Sequence, residues 1–159
     1  MNPPKRTPRV KRPMQTIGYA DRVDFPDLSL TDIEAKVDTG AYTSALHCTD
    51  VKLVPGGGER YRLRFTILSG EGRKKRQYLV DSFQYKTIKN SFGQSEKRFV
   101  IKTRILIMGR LIRAEFSLAN RGSMRFPVLL GRKLLRNKFV VDVSRQNVSF
   151  LMKQQAAGN

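Results

Sequence analysis

The sequence predicts an all-β domain, a small closed barrel with one short helix toward its C-terminus. Three observations carry this. Tyr61, Leu63, Phe65 and Ile67 alternate with Arg60, Arg62, Arg64 and Thr66, the two-residue period of a strand with one apolar and one basic face. Phe99, Ile101, Thr103, Ile105 and Ile107 alternate in the same way, and after Met108-Gly109 the pattern resumes in Ala114, Phe116 and Leu118, as expected of two strands joined by a turn. There is no internal repeat and no long amphipathic helical period, which favours a barrel over layered architectures with helices.

Residues 1–14 are rich in proline and basic residues with almost nothing to bury, so a disordered arm is expected there. The folded domain is expected over 15–153 and a flexible end over 154–159. Ile17–Val23 reads as a first short strand, and Phe25-Pro26-Asp27 as a turn, because proline restricts itself and its predecessor. Leu30–Asp38 alternates as a half-buried strand, and Tyr42–Cys48 continues extended. Gly56-Gly57-Gly58 lacks a following Lys-Ser/Thr and reads as a hairpin tip, not a phosphate loop. Ser69–Gly72 is a turn, after which Tyr78–Phe83 returns, with Arg73-Lys74-Lys75-Arg76 as a basic cluster beside it. Asn90–Ser95 is turn-rich. Val128–Leu130 is an apolar run suited to a strand covered on both faces. Arg132–Asn137 has room for one or two helical turns, and Phe139–Val143 and Asn147–Leu151 read as closing strands.

The composition bounds the function. A chain of 159 residues with 40 % hydrophobic content can bury one real core. No apolar run approaches the ~20 residues of a membrane helix, and no secretory h-region is present. The single cysteine, Cys48, excludes an internal disulfide framework and suits a reducing compartment, so a cytoplasmic location is expected. The net charge of +18, from 31 basic against 13 acidic residues, implies an anionic partner: nucleic acid, membrane surface or acidic polypeptide.

The stretch with the most chemistry is Ala35-Lys36-Val37-Asp38-Thr39-Gly40-Ala41. An apolar alternation runs straight into Asp-Thr-Gly, which places Asp38 at a strand end beside a residue that tolerates tight turns. The same triplet is also an ordinary turn sequence. Its partner stretch is Phe126-Pro127-Val128-Leu129-Leu130-Gly131-Arg132-Lys133-Leu134-Leu135. Together the two resemble the aspartic proteases of the retroviral, or retropepsin, type, in which an Asp-Thr/Ser-Gly-Ala turn packs on an apolar strand that runs into Gly-Arg and a short helix. The longer run through Tyr42-Thr43-Ser44-Ala45-Leu46-His47 is similar to a bacterial family known under the label ATP-dependent zinc protease, related in fold to retropepsins and associated with a ligase that adds glutamates to a ribosomal protein.

The resemblance implies a barrel of the retroviral-protease type over roughly residues 17–151, with Asp38, Thr39 and Gly40 as the catalytic turn. It implies a peptide or protein substrate, and Ala41 and Gly93 as substrate-binding positions, Gly93 at the tip of a flap hairpin over Lys89–Arg98. Arg132 is implied to be structural. The chemistry needs two aspartates sharing a proton. The chain has one Asp-Thr-Gly, so the active unit is expected to be a homodimer with Asp38 at the two-fold axis. The basic face adds Arg62 and Arg64 as residues that would hold an acidic, glutamate-rich substrate. No metal and no other cofactor is expected: His-Glu-x-x-His and Gly-x-x-x-x-Gly-Lys-Ser/Thr are absent, and His47 with Cys48 and Asp50 makes a poor zinc set. The competing reading is a non-catalytic barrel that binds RNA or the ribosome through its basic surface, against which stands the lack of an aromatic-studded face.

Overall fold

The computed structural model describes residues 2–5, 12–69, 74–90, 92–120 and 126–158. The strands are β1 (Gln15–Ile17), β2 (Ala20–Phe25), β3 (Leu30–Val37), β4 (Ser44–His47), β5 (Thr49–Pro55), β6 (Tyr61–Ser69), β7 (Lys74–Val80), β8 (Gln84–Lys89), β9 (Ser95–Ile107), β10 (Arg110–Ala119), β11 (Val128–Leu130) and β12 (Phe139–Val141). Two helices follow the later strands, α1 (Arg132–Leu135) and α2 (Val148–Ala157).

Six strands close a barrel in the order β10-β4-β11-β3-β2-β9, because β9 also pairs with β10. Closure leaves these strands without free edges. β8 adds to the far half of β9 as a projecting hairpin, with Lys89 opposite Ser95 and Gln84 opposite Val100. The core follows the alternation: Phe25, Ile105, Ile107, Phe116, Val128 and Leu130 are all buried, and Phe25 meets Phe116 edge-on at 5.2 Å between centroids. β5, β6 and β7 form a separate three-stranded sheet. Its apolar face, Leu63, Phe65 and Ile67, joins the same core. Tyr78 and Arg76 fasten it, donating to the carbonyls of Leu28 and Ser29 at 2.6 and 2.7 Å.

Several expectations need correction. Ile17–Val23 is two strands, broken at Gly18-Tyr19, where the Tyr19 amide donates to the Arg145 carbonyl at 2.9 Å. Asn147–Leu151 is not a strand but the start of α2, and the helix runs through Ala157, across most of the stretch expected to be a flexible end over 154–159. The reason is tertiary. Asn147 sits in the left-handed region, and the carboxylate of Asp21, 3 % exposed, accepts the amides of Ser149 and Phe150 at 2.8 and 3.0 Å. It thereby satisfies donors that a helix start leaves open. Val148 and Met152, one helical turn apart, pack on the core. Of the arm expected over 1–14, residues 2–5 and 12–14 carry no regular structure, while 1 and 6–11 lie outside the described residues, as do 70–73 of the expected turn and basic cluster.

Candidate active site

Asp38 follows directly on β3, whose parallel partner β11 sets Val37 beside Leu130. Its amide donates to the Leu130 carbonyl at 2.9 Å. One carboxylate oxygen accepts the Gly40 amide at 2.9 Å, and the Ala41 amide donates back to the Asp38 carbonyl at 3.2 Å. This is an Asx-type turn, which accounts for the aspartate at its start. The segment after β11 then clamps the turn. The Arg132 amide donates to the Ala41 carbonyl at 2.9 Å, the Lys133 amide to the Tyr42 carbonyl at 3.0 Å, and the Arg132 guanidinium to the Thr39 carbonyl at 2.9 Å. The Gly131 amide donates to the buried Ser44 hydroxyl at 3.0 Å. A Cβ at Gly131 would stand 2.7 Å from the Tyr42 carbonyl oxygen, so only glycine allows this approach. Backbone bonds from Asp38, Arg132 and Lys133 hold the turn, and the side chains of Arg132 and Ser44 brace it.

A cleft of about 640 Å³ opens beside Asp38. One wall comes from the barrel, with Ala41, Thr43, Ser117 and Leu129; the other comes from the β8–β9 hairpin, with Ile88, Lys89, Asn90, Phe92 and Arg98. The hairpin tip is ordered by Asn90, whose side-chain oxygen accepts the amides of Phe92 and Gln94 at 3.0 Å each. Gly93 has φ +80, a conformation that other residues adopt with strain. Phe92 is 91 % exposed at the tip.

The structure therefore brings Asp38 and Ala41 together with the expected flap. Thr39 and Gly40 build the turn without lining the cleft, and Gly93 shapes the tip while Phe92 faces the opening. Arg62 and Arg64 do not join this site. They stand on β6 in the three-stranded sheet, where Arg62 pairs with Asp81 at 2.7 Å and Arg64 lies opposite Lys52 and Leu79. Lys75 shares their face by register, but Arg76 is on the other, bonded to Ser29. The barrel residues of the cleft that were not expected as site residues are Lys36, Thr43, Ala45, Ser117, Phe126 and Leu129. Alternation showed Lys36 to point away from the core, but not that a hairpin from 50 residues later lies over it. Lys36, Lys89 and Arg98 make the cleft basic around Asp38, though Arg98 is also hydrogen-bonded to Glu96.

Other reactive groups lie elsewhere. Cys48 is fully buried, and burial pushes its thiol up to about 12. Among the described residues no group of three or more His, Cys, Asp or Glu side chains is placed to hold a metal ion. No helix among them is long and apolar enough to cross a membrane.

A closed barrel in which an Asp-Thr-Gly turn is clamped by a Leu-Gly-Arg segment under a hairpin defines the class of retropepsin-like proteins. The chain belongs to the RimB-like family: the profile described as retropepsin-like aspartic endopeptidase RimB matches residues 16–150. Similar sequences include two named probable alpha-L-glutamate ligase. One, from Desulfotalea psychrophila, is 33 % identical over 132 residues, covering 82 % of this chain and 28 % of that protein. The other, from Shewanella pealeana, is 35 % identical over 130 residues, covering 80 % and 28 %. The matched segment thus spans little more than a quarter of these relatives. Among solved structures, a Legionella pneumophila protein of unknown function superposes with a TM-score of 0.65 at 25 % identity, covering 84 % of this chain and 97 % of that one.

Proposed function

We propose that this domain is an aspartic endopeptidase that works as a homodimer on acidic, glutamate-rich peptides. The observation that carries the proposal is the position of Asp38: on a rigid turn, at the wall of a cleft that a hairpin roofs. In the dimer the two Asp38 carboxyls share one proton. The ionised one takes a proton from water as its oxygen attacks the scissile carbonyl carbon. The protonated one gives its proton to the carbonyl oxygen. In the collapse of the tetrahedral diol the first carboxyl gives the proton taken from water to the nitrogen, and the second takes a hydroxyl proton from the diol. The C–N bond breaks to free the amine and the acid, and the pair again shares one proton. Neither carboxyl can do both tasks at once, which is the reason for two chains.

The acidic substrate follows from the cleft, where Lys36, Lys89 and Arg98 surround one carboxylate, and from the chain's charge of +18. It is consistent with relatives named for glutamate ligation. Ala41 lines the binding cleft and Gly93 gives the hairpin its tip. Activity in the cytoplasm, without a metal or other cofactor, belongs to the same proposal, as does a folded unit beginning near residue 15.

The test follows cleavage of glutamate-rich and neutral peptides across a protein dilution series. Rate per chain is expected to rise with concentration until the dimer is saturated, and Asp38→Asn protein is expected to inhibit wild type by forming mixed dimers. Activity first order in protein down to a monomeric sample, or undiminished hydrolysis by Asp38→Asn, would overturn the proposal. A second reading, RNA or ribosome binding without catalysis, draws on the basic outer face of Lys52, Arg62, Arg64 and Lys75. It predicts salt-sensitive RNA binding that Asp38→Asn leaves intact, with no peptide cleavage by either protein.

A further inference from the structure

We infer that a second basic pocket beside the cleft is an exosite that grips the acidic stretch of a polypeptide substrate away from the scissile bond. Its use in catalysis rests on the peptidase reading; the binding does not. The pocket, of about 540 Å³, lies between the β9–β10 ribbon and the segment from α1 to Lys138. Lys102, Arg113, Lys133 and Lys138 line it. Glu115, its one acid among the described residues, is already engaged, with Lys133 at 3.1 Å and Lys86 at 3.3 Å. Burial would push Glu115 up, but the hydrogen bonds from Lys133 and Lys86 outweigh it and hold the carboxyl below its usual range. It therefore stays ionised and satisfied by those two lysines. Among the described residues Lys102, Arg113 and Lys138 form no salt bridge. Lys102 and Lys138 are left facing the recess, while Arg113 also feels the carboxylate of Asp27.

Two strands connect this recess to the cleft. On β10, Glu115 lines the pocket and Ser117 lines the cleft; on β8, Lys86 holds Glu115 while Ile88 and Lys89 line the cleft. Two residues of strand span about 7 Å. An extended peptide leaving the cleft therefore reaches the pocket within two or three residues, passing from Lys36, Lys89 and Arg98 at one end to Lys102 and Lys138 at the other. Apolar Ile112 and Leu134 in the pocket suit the methylenes of glutamate side chains. Among the described residues no aromatic side chain lines it, which disfavours stacked bases and points to a polypeptide rather than a nucleic acid.

The test compares Asp38→Asn protein with the same protein carrying Lys102→Glu and Lys138→Glu, by fluorescence anisotropy on a long oligoglutamate peptide, a short one confined to the cleft, and a single-stranded RNA. Charge reversal is expected to weaken the long peptide about tenfold, and to leave the short peptide unchanged. The neutral pair Lys102→Gln and Lys138→Gln should give a smaller loss in the same order, which guards against misfolding of the reversed pair. In the otherwise wild-type chain, cleavage of a neutral peptide should keep its kcat/KM. Equal loss for long and short peptides, or loss for RNA as large as for the long peptide, would overturn the exosite. If wild type cuts no peptide but the length-dependent loss is found, the exosite stands as a binding site and the peptidase reading falls.

Discussion

Asp38 and Asp21 are chemically the same side chain in opposite circumstances. Asp38 accepts a hydrogen bond from Gly40 two residues away and borders a cleft. Asp21 is sealed and accepts the amides of Arg22, Ser149 and Phe150 at 2.8, 2.8 and 3.0 Å. Asp38→Asn keeps the oxygen that Gly40 needs, so its unfolding free energy in urea should stay within about 0.5 kcal/mol of wild type while hydrolysis is lost. Asp21→Ala leaves three amides without an acceptor and uncaps α2, and should cost about 2–3 kcal/mol in the same titration. At Cys48 the thiol is pushed from 9.0 to about 12 by burial. The folded state thus holds this proton more tightly than the unfolded chain. The corresponding stability is complete below pH 9 and is lost as pH rises through that value toward 12. At pH 8 the folded protein should react with a thiol reagent only at its rate of opening, and a rate matching that of a free thiol would contradict this burial.

Among the elements, the β8–β9 hairpin and the Gly131–Lys133 clamp have separable roles. Gly131→Ala forces a methyl group against the Tyr42 carbonyl and should destabilise the fold by about 1–3 kcal/mol and lower the proposed activity with it, because the clamp supports the Asp38 turn. Gly93→Val strains only the exposed tip, at a cost of about 1–2 kcal/mol felt mainly in the hairpin. Peptide kcat/KM should therefore fall while the global unfolding midpoint moves little. Phe92→Ala removes the aromatic side chain at the tip and is expected to raise KM more than it lowers kcat. Equal effects of Phe92→Ala and Gly131→Ala on global stability would mean that the hairpin is part of the core and not a flap.

For the whole molecule the decisive quantities are closure and charge. Barrel closure fixes β3, β11 and β4 side by side, so the turn after β3 and the segment after β11 meet whatever their separation in sequence. Two copies each carrying +18 repel, and an acidic substrate offsets that repulsion. Dimerisation by sedimentation should therefore strengthen when oligoglutamate is added and as salt is raised in its absence, since exposed charges are screened over about 10 Å at 0.1 M. Peptide affinity should move the other way and fall with salt. Dimerisation indifferent to both peptide and salt would remove charge from the account.

Much of this was legible in the residues themselves. Alternation marked β3, β6, β9 and β10, because a strand's period of two exposes its buried face directly. Asp38-Thr39-Gly40 and Leu130-Gly131-Arg132 marked the turn and its clamp, because a tight turn and a close backbone approach admit few residue types. The tertiary structure alone decided the rest. It turned Asn147–Leu151 into the start of a helix, through Asp21 at its first turn, a partner 128 residues from Ser149. It divided the basic residues, sending Arg62 and Arg64 to a separate sheet and Lys36, Lys89 and Arg98 to the cleft. A strand's sequence states which side chains share a face, but what that face looks upon is set by contacts between distant segments, which leave no local periodicity to read.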